Sequence, residues 1–479
     1  MMRAVMTGSE PTTRTDDAFA LDLEHAEAIL PRYDGPGPRY TSYPTAPVWT
    51  PAYGAGDFAH DLPSLASDAA LSLYAHVPFC SSLCHFCACN RIITRDAALP
   101  ERYLDAIARE IDAVRALVAA PAPAAQLHWG GGTPTHLSPA QIRRLFHAMT
   151  DAFPLRAGAE VSIEVDPRVT TQEQVETLRE LGFDRISLGV QDVEARVQEA
   201  IHRIQPATMT AALVEGARRA GFASVNLDLI YGLPFQREES FARTLDTVIA
   251  IGPDRIALYS YAHVTWVAKQ QRGFERQDLP DAATKLRILL LAIRRLLRAG
   301  YVYVGMDHFA RPDDELARAL RDRTLRRNFM GYTTQADTVL LGFGPSAISE
   351  LPASYAQSER ELAAWEQAVR DRGVATLRGH RISAADDERR FVIARIMCHG
   401  EIAASEWSAR FGRSFAEAYA RELEMLEALE ADGLVLREGD GSLRVTPLGR
   451  LLVRNVAMAF DAYLPEQQRA GGRLFSRAV

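Results

Sequence analysis

The sequence has few cysteines and no long apolar run. Its 479 residues include 5 cysteines, and the most apolar stretch, LRILLLAIRRLLRAG, is interrupted by arginines. Such a stretch predicts an amphipathic helix and not a membrane span. The N-terminal stretch MMRAVMTGSEPTTRTDDAFA lacks the apolar core that a secretory signal peptide needs. We therefore expect a cytoplasmic protein with no membrane partner, in a compartment where clustered cysteines more often bind metal than form disulfides.

The sequence also lacks an excess of positive charge. The formal net charge of −7 at pH 7 gives no general electrostatic reason to bind nucleic acid or an anionic membrane. Hydrophobic residues make up 47% of the chain and charged residues 24%, as in an ordinary soluble globular protein. At roughly 150 residues per domain, the length allows about three domains.

Four of the five cysteines lie in one short stretch, HVPFCSSLCHFCACN. A structural zinc site usually takes two cysteine pairs with a longer spacer between them, and Cys398 is alone and far away. An iron–sulfur cluster accepts three or four thiolates from one loop. Cys80, Cys84 and Cys87 would give a four-iron cluster three ligands and leave one iron open for a small molecule, with Cys89 in another role. Zinc and structural thiols remain alternatives.

Apolar strands alternate with helical segments from about residue 71, which predicts an α/β fold. The six predicted strands are LSLYAHV, AQLHW, EVSIEVDP, RISLGVQD, SVNLDLIYGLP and RIALYSYAH. Each strand ends in polar or glycine-rich residues, as expected when one rim of a barrel carries the site. A doubly wound open sheet also binds its ligands at strand ends and remains the alternative.

Two flanking regions differ from this alternation. Residues 1–54 include a stretch rich in Pro, Gly and Tyr, which we interpret as an ordered arm; residues 55–378 would form the barrel. Residues 379–479 predict three helices, in DDERRFVIARIMCHG, AASEWSARFG and SFAEAYARELEMLEALEADG. A β-hairpin with Asp440-Gly441 at its turn follows them, which gives a winged-helix-like arrangement. Such folds often bind DNA, but the predicted second and third helices are too acidic to face phosphates. Their acids are Glu406, Glu417, Glu422, Glu424, Glu427 and Glu430. We expect a lid or packing domain.

Several candidate site residues lie at strand ends. The GGGTPT stretch after the second strand lets the backbone approach a ligand closely, although a simple tight turn is the alternative. Glu164, Gln191 and Asp228 fall at or near predicted strand ends, where acidic side chains could accept hydrogen bonds from a ribose or an ammonium group. Helix capping or hydrogen bonding along the barrel rim is the alternative for each. Arg203 could face a carboxylate. The stretch LLGFGPSAIS is a weak dinucleotide-like pattern, and we reject nicotinamide binding because no clear βαβ unit surrounds it.

Cys-x3-Cys-x2-Cys is the signature of radical S-adenosylmethionine (SAM) enzymes, and the cysteine stretch resembles that superfamily. The resemblance implies a partial barrel of about six strands, in which a reduced cluster splits SAM into methionine and a 5′-deoxyadenosyl radical. Nearly the whole chain is similar to one branch, the oxygen-independent coproporphyrinogen III oxidases (dehydrogenases). The matching stretches are GPRYTSYPTA, HVPFCSSLCHFCACN, LHWGGGTPT, SIEVDPR, DLIYGLP, GMDHFARPDDELA, RNFMGYTTQ and RLLVRNVAMAFDAYL.

This resemblance implies a reaction and its cofactors. Two propionates of coproporphyrinogen III would become vinyl groups, giving protoporphyrinogen IX in haem biosynthesis. The cofactors would be a [4Fe-4S] cluster and two SAM molecules. The partners would be an electron donor, such as a flavodoxin or ferredoxin, and an unknown electron acceptor. We expect a monomer. The alternatives are a related haem chaperone, whose members generally lack the Cys-x-Cys ending and the arm, and a radical SAM methyltransferase acting on haem.

The resemblance also implies roles for single residues. Cys80, Cys84 and Cys87 would bind the cluster, and Cys89 matches a cysteine associated with activity. By motif, the SAM contacts would be Tyr74, Phe86, Gly131, Gly132, Thr133, Glu164, Gln191, Arg203, Asp228, Ala262 and Ile348. The arm around Arg39 would help to close the site over substrate. The chain departs from the family pattern at His85, His202 and Thr265, and His202 weakens the assignment of its neighbour Arg203.

Overall fold

Parallel strands form the centre of one large sheet in a computed structural model, which describes residues 22–65, 69–119, 123–265, 268–335 and 338–469. The twelve strands of this sheet, labelled in chain order, are β1 (Leu71–Val77), β2 (Ala124–Gly131), β3 (Leu155–Val165), β4 (Arg185–Gln191), β5 (Ser224–Tyr231), β6 (Arg255–Ser260), β7 (Val302–Gly305), β8 (His308–Ala310), β9 (Val339–Phe343), β10 (Ile348–Leu351), β11 (Ser354–Ser358) and β12 (Thr376–Arg381). Strands β1 to β6 are mutually parallel in sequence order, which confirms the six predicted strands and the α/β fold.

The sheet extends beyond these six strands on both sides. Its order is β12-β11-β10-β9-β1-β2-β3-β4-β5-β6-β8-β7, so that within the described residues it is an open, partial barrel. Strand β9 is parallel to β1, whereas the remaining added strands pair antiparallel. We predicted none of these additions, because strands of three to six residues leave too little alternation to recognise in sequence.

Helices between the strands pack side by side around the sheet. The helices before residue 300 are Leu23–Tyr33, Ala55–Asp61, Ala98–Leu117, Pro139–Ala152, Gln172–Glu180, Ala195–Ala200, Ala207–Ala220, Glu238–Ile251 and Ala282–Arg298. Ser138 caps the fourth of these by accepting from the backbone amide of Gln141, with Pro139 at the first helical position. Buried Leu73, Trp129 and Phe146 belong to the apolar core.

The described part of the arm spans the open side of the barrel. The Arg39 guanidinium forms an ion pair with Asp307, between β7 and β8. Farther along, Trp49 stacks on Tyr355 of β11 with ring centroids 5.1 Å apart. Thr50 then forms an antiparallel bridge with Gly379 of β12. The arm therefore contacts both ends of the sheet.

The C-terminal region contains the predicted helices and hairpin, with one correction. Glu315–Arg321 and Leu362–Arg372 are the last helices of the predicted barrel range, and the helices of the C-terminal region are Ala384–His399, Ala404–Phe411, Phe415–Ala418, Ala420–Met425, Glu427–Ala431, Val453–Met458 and Leu464–Arg469. The single helix that we predicted from SFAEAYARELEMLEALEADG is thus three short helices. They meet at Tyr419 and Leu426, whose side chains are both buried, so tertiary packing overrides the helical pattern there.

The predicted hairpin pairs Val435–Arg437 with Leu443–Val445, and Glu401–Ile402 adds a third strand. Strand β12 crosses the predicted domain boundary at residue 378, and residues 1–21 and 470–479 of the predicted terminal regions lie outside the described residues. The domain limits therefore stay a prediction. Within the described ranges, no helix is long and apolar enough to cross a bilayer.

The arm–sheet contact can be tested at Gly379. A Cβ atom there would overlap the carbonyl oxygen of Tyr355 and the ring of Tyr53. We expect Gly379→Ala to lower the free energy of unfolding by ~1–3 kcal/mol, the usual cost of overpacking. The measurement is urea unfolding followed by tryptophan fluorescence. Gly56→Ala is the matched control, because nothing lies within 4 Å of that Cβ position. Equal unfolding midpoints for the two variants would contradict this account of the arm.

Candidate active site

The cysteine loop begins where β1 ends and is fixed to the barrel at several points. Phe79–Cys80 pairs in parallel with Ile92–Ile93, so the two ends of the loop lie side by side. Between them, the backbone amide of His85 donates to the carbonyl oxygen of Ile201 at 2.9 Å. This anchoring presents the thiols at the carboxyl ends of the parallel strands.

The three thiols of the Cys-x3-Cys-x2-Cys motif lie close to one another. The pKa of the Cys80 thiol is raised to about 11, chiefly by burial, with the neighbouring Cys87 and Cys84 acting in the same direction. Sγ of Cys80 also lies 3.5 Å from Oγ1 of Thr133. A hydrogen bond from Cys89 lowers the pKa of Cys87, while the same bond raises the pKa of Cys89. The arrangement brings together the three predicted cluster ligands, with Cys89 beside the third.

This donor set fits a cluster better than a single ion. Among the described residues, no three His, Cys, Asp or Glu side chains are close enough together to hold one metal ion. An iron–sulfur cluster distributes its ligands over several iron atoms and does not require them to meet at one point. Cys80 and Cys87 are partly exposed at the mouth of the barrel and Cys84 is buried. Three thiols from one anchored loop therefore suit a four-iron cluster with an open iron.

The glycine-rich end of β2 packs directly against the cysteine loop. The backbone amides of Gly132 and Thr133 donate to the carbonyl oxygens of Val77 and Phe79, both at 2.8 Å. A Cβ at Gly132 would come within 2.7 Å of the Phe79 oxygen, and one at Gly131 within 2.7 Å of the His76 ring. Gly131 also has φ +112°, a conformation that favours glycine. The stretch is therefore built for close backbone approach.

Glu164 is the acid next to this glycine stretch. The Gly131 amide donates to Oε2 of Glu164 at 3.2 Å, and Nε2 of His128 lies 3.7 Å from Oε1. Partial desolvation in the mouth opposes ionisation, but the neighbouring His128 ring and the hydrogen bond from the Gly131 amide outweigh it and hold the pKa of Glu164 below its usual range. Glu164 is therefore an ionised acceptor with about half of its side chain exposed to the mouth.

Asp228 differs from Glu164 in its protonation. Burial and the nearby Glu164 charge raise the pKa of Asp228 to about 7. Its carboxylate accepts hydrogen bonds from Asn226 at 2.7 Å and from Ser187 at 3.3 Å. Asp228 can therefore act as a donor or as an acceptor near neutral pH, beside an acid that only accepts.

Gln191 and Arg203 lie at the end of β4. Gln191 is buried and has φ +68°, an uncommon conformation for a residue other than glycine. The Arg203 guanidinium donates to the Gly189 carbonyl oxygen at 2.6 Å and to Asp166 at 3.0 Å. His202 has φ +54°, a region that Asn tolerates better than His. Even so, the neighbouring Arg203 reaches the rim.

The remaining predicted contacts come from both sides of the loop. The Gln271 side chain donates to the carbonyl oxygens of Phe86 at 2.9 Å and Ala262 at 3.1 Å, which joins the cysteine loop to the segment after β6. Tyr74 of β1 is paired with Gly342 of β9. A Cβ at Gly342 would overlap the backbone of Ile348, so Ile348 lies one strand farther along the same rim. The predicted positions thus share one end of the sheet.

Sequence reasoning missed three residues of this site: Asp166, Arg168 and Gln271. Asp166 and Arg168 lie in SIEVDPR, and the Arg168 guanidinium donates to Sγ of Cys84 at 3.3 Å. Their position at the end of a predicted strand was the available signal. Gln271 lies in a 3₁₀ segment with no strand or motif nearby, and nothing in its local sequence indicates its two long-range bonds. His76 is packed, between the Tyr74 hydroxyl and the Asn90 carbonyl oxygen.

Comparison with known proteins identifies the family. A model described as the Radical SAM superfamily matches residues 74–248, and one described as the HemN C-terminal domain matches residues 382–452. The oxygen-independent coproporphyrinogen III oxidase of Synechocystis sp. is 45% identical over 464 residues, covering 95% of this chain and 98% of that protein. The chain belongs to the family of oxygen-independent coproporphyrinogen III oxidases. The family implies a [4Fe-4S] cluster and SAM, as the cysteine motif predicts.

Further relatives agree along nearly the whole chain. The Salmonella typhimurium oxygen-independent coproporphyrinogen III oxidase is 46% identical over 452 residues, covering 94% of this chain and 98% of its own. The solved structure of coproporphyrinogen III oxidase (HemN) from Escherichia coli, titled a radical SAM enzyme, superposes with a TM-score of 0.88 at 43% identity. It covers 93% of this chain and 100% of its own. The roles of the individual site residues stay predictions.

The contact between the glycine stretch and the cysteine loop can be tested at Gly132. Gly132→Ala should lower SAM affinity about tenfold, ~1.4 kcal/mol, because the new Cβ would push the two loops apart. Anaerobic equilibrium dialysis with labelled SAM on the reconstituted protein gives the affinity. Gly439→Ala, with nothing within 4 Å of its Cβ position, should bind SAM normally. Unchanged SAM affinity in Gly132→Ala would show that close backbone approach is not required.

Proposed function

We propose that this protein converts two propionates of coproporphyrinogen III to vinyl groups by oxygen-independent oxidative decarboxylation, giving protoporphyrinogen IX in haem biosynthesis. The observation that carries the proposal is the contact of a three-thiol loop with a glycine-rich strand end, beside Glu164 and Asp228, in a chain of this family. The relatives' names support the substrate. The haem-chaperone alternative has no comparable support.

Cys80, Cys84 and Cys87 would hold the [4Fe-4S] cluster, and the rim residues would hold SAM. When bound, the cluster and SAM supply the radical that removes a hydrogen atom from the β-carbon of a propionate. The ionised Glu164 would accept hydrogen bonds from SAM, and Asp228 would accept or donate according to its protonation. Gly131 and Gly132 leave room for the ligand. A second SAM molecule in the same mouth is part of the proposal.

The substrate brings four carboxylates, which require cations near the mouth. The Arg39 guanidinium lies 5.7 Å from the Tyr259 ring and is paired with Asp307. Nζ of Lys285 lies 5.6 Å from the ring centroid of Tyr231, the last residue of β5. Both cations therefore lie near the carboxyl ends of β5 and β6. We propose that they bind substrate carboxylates, and that the arm segment around Arg39 closes the site.

Each decarboxylation releases carbon dioxide and leaves one electron for an external acceptor, since oxygen is not the oxidant. The electron donor, such as a flavodoxin or ferredoxin, and the unknown acceptor stay predictions. The monomeric state and the cytoplasmic location also stay predictions. No nucleic-acid partner is proposed, because the chain is acidic overall.

An anaerobic turnover assay tests the function. The reconstituted protein is supplied with SAM, a reductant, an electron acceptor and coproporphyrinogen III. We expect both 5′-deoxyadenosine, measured by chromatography, and protoporphyrin, measured by fluorescence after oxidation. SAM cleavage without a porphyrin product under these conditions would contradict the proposed substrate. Tight haem binding by a protein with an intact cluster but no SAM cleavage would favour the chaperone alternative.

Cysteine variants separate cluster binding from turnover. Cys84→Ala should lose the four-iron cluster and all SAM cleavage, because it removes a ligand. Cys89→Ala should keep the cluster but lose turnover. Iron content, the visible spectrum and the rate of product formation are measured for each. Cys398→Ala, which changes a buried thiol in the C-terminal region, should retain both properties. Cluster retention in Cys84→Ala would contradict the ligand assignment, and a normal rate in Cys89→Ala would make Cys89 structural.

A further inference from the structure

We propose that Arg168 is a positioning residue that holds Cys84 and raises the reduction potential of the cluster. The inference rests on the proposed function, since it requires Cys84 to be a cluster ligand. Sequence motifs assigned no role to Arg168. Arg168 lies three residues after Val165, the last residue of β3. Its guanidinium contacts the cysteine loop, which precedes it by more than eighty residues in the chain.

The Arg168 guanidinium is held in one orientation by a single carboxylate. Nε donates to both oxygens of Asp166, at 3.0 and 3.2 Å, and Nη2 donates to Oδ2 at 2.6 Å. Nη2 also donates to Sγ of Cys84 at 3.3 Å. The Arg168 side chain is only 16% exposed and that of Asp166 only 10%. A forked ion pair with little access to water keeps the donor directed at the sulfur.

The guanidinium of Arg203 also contacts both the Asp166 carboxylate and the Cys84 sulfur. Nη1 of Arg203 lies 3.0 Å from Oδ2 of Asp166 and 3.6 Å from Sγ of Cys84. Asp166 is itself fixed, because its backbone carbonyl oxygen accepts from the amides of Val169 and Thr170 at 3.1 Å. Asp166 thus places two cations against one ligand sulfur.

The three cluster ligands are therefore not electrostatically equivalent. Cys80 faces the neutral hydroxyl of Thr133, and Cys87 is hydrogen-bonded to Cys89, with Arg91 and Arg203 acting on it only through their charge. Within the described residues, guanidinium hydrogen bonds to these thiols reach only Cys84. Hydrogen bonds and positive charge near a ligand sulfur stabilise the more negative, reduced cluster and so raise its potential. The carboxylate of Asp166 acts in the opposite direction. If Arg168 and Asp166 only supported the structure of the loop, their substitutions would not shift the reduction potential in opposite directions.

The test is a redox titration monitored by electron paramagnetic resonance on the reconstituted protein without SAM. Arg168→Gln should shift the midpoint to a more negative value. At the wild-type midpoint, its ratio of reduced to oxidised cluster should fall about tenfold, which is ~59 mV for a one-electron couple. Arg168→Lys, which keeps the charge, should restore part of the shift. Asp166→Asn keeps an oxygen that can accept from the arginines and removes only the negative charge, so it should move the midpoint in the positive direction. Arg219→Gln, a surface arginine paired with Glu215, is the control.

The outcomes separate this inference from the proposed function. Iron is counted in every variant before titration. A full four-iron cluster with unchanged midpoints in the Arg168 and Asp166 variants overturns the inference and leaves the function intact. Shifts of the same sign in Arg168→Gln and Asp166→Asn also overturn it, because they indicate a general disturbance of the loop. If Arg168→Gln fails to hold iron, the other two variants test the inference. It then requires a negative midpoint shift in Arg168→Lys and a positive one in Asp166→Asn, and any other result overturns it. A wild-type protein without a four-iron cluster contradicts both.

Discussion

The site depends on the backbone contact between the cysteine loop and the end of β2. Two hydrogen bonds from Gly132 and Thr133 continue the parallel pairing of β1 and β2 beyond the last residue of β1. They are possible because Gly132 has no side chain to separate the strands. Without this contact, the thiols would belong to one loop and the glycines that are predicted to contact SAM to another. With it, both lie at one rim of the sheet, next to the ends of β3, β4 and β5.

The three acids at this rim, Glu164, Asp228 and Asp166, differ in their charged neighbours. Glu164 is kept ionised by His128 and the Gly131 amide, whereas burial and Glu164 itself raise the pKa of Asp228 to about 7. Asp166 pairs with Arg168 and Arg203, and both guanidinium groups donate to the sulfur of Cys84. Neighbouring acids whose pKa values are pushed apart are common at functional sites. The protonation of each acid at this rim is therefore set by whether a cation or a backbone amide lies beside it.

Local sequence predicted much of this arrangement because the signals are local. The spacing of Cys80, Cys84 and Cys87 lies within one loop, and the six central strands are apolar runs with polar or glycine-rich ends. Gln271, Arg168 and the arm's bridge at Thr50 could not be predicted as contacts, since each joins segments far apart in the chain. The broken helix around Tyr419 had a good helical pattern, which its buried packing overrides. Thus the chemistry could be predicted more fully than its supporting contacts.

We propose that the three-cysteine loop and the glycine stretch form a single site for a cluster and SAM. The most direct measurement is the electron paramagnetic resonance spectrum of the reduced, reconstituted protein with and without saturating SAM. We expect a four-iron signal whose g values change when SAM is added, because SAM would bind next to the open iron. A signal that stays unchanged at saturating SAM would show that the two loops do not form one site.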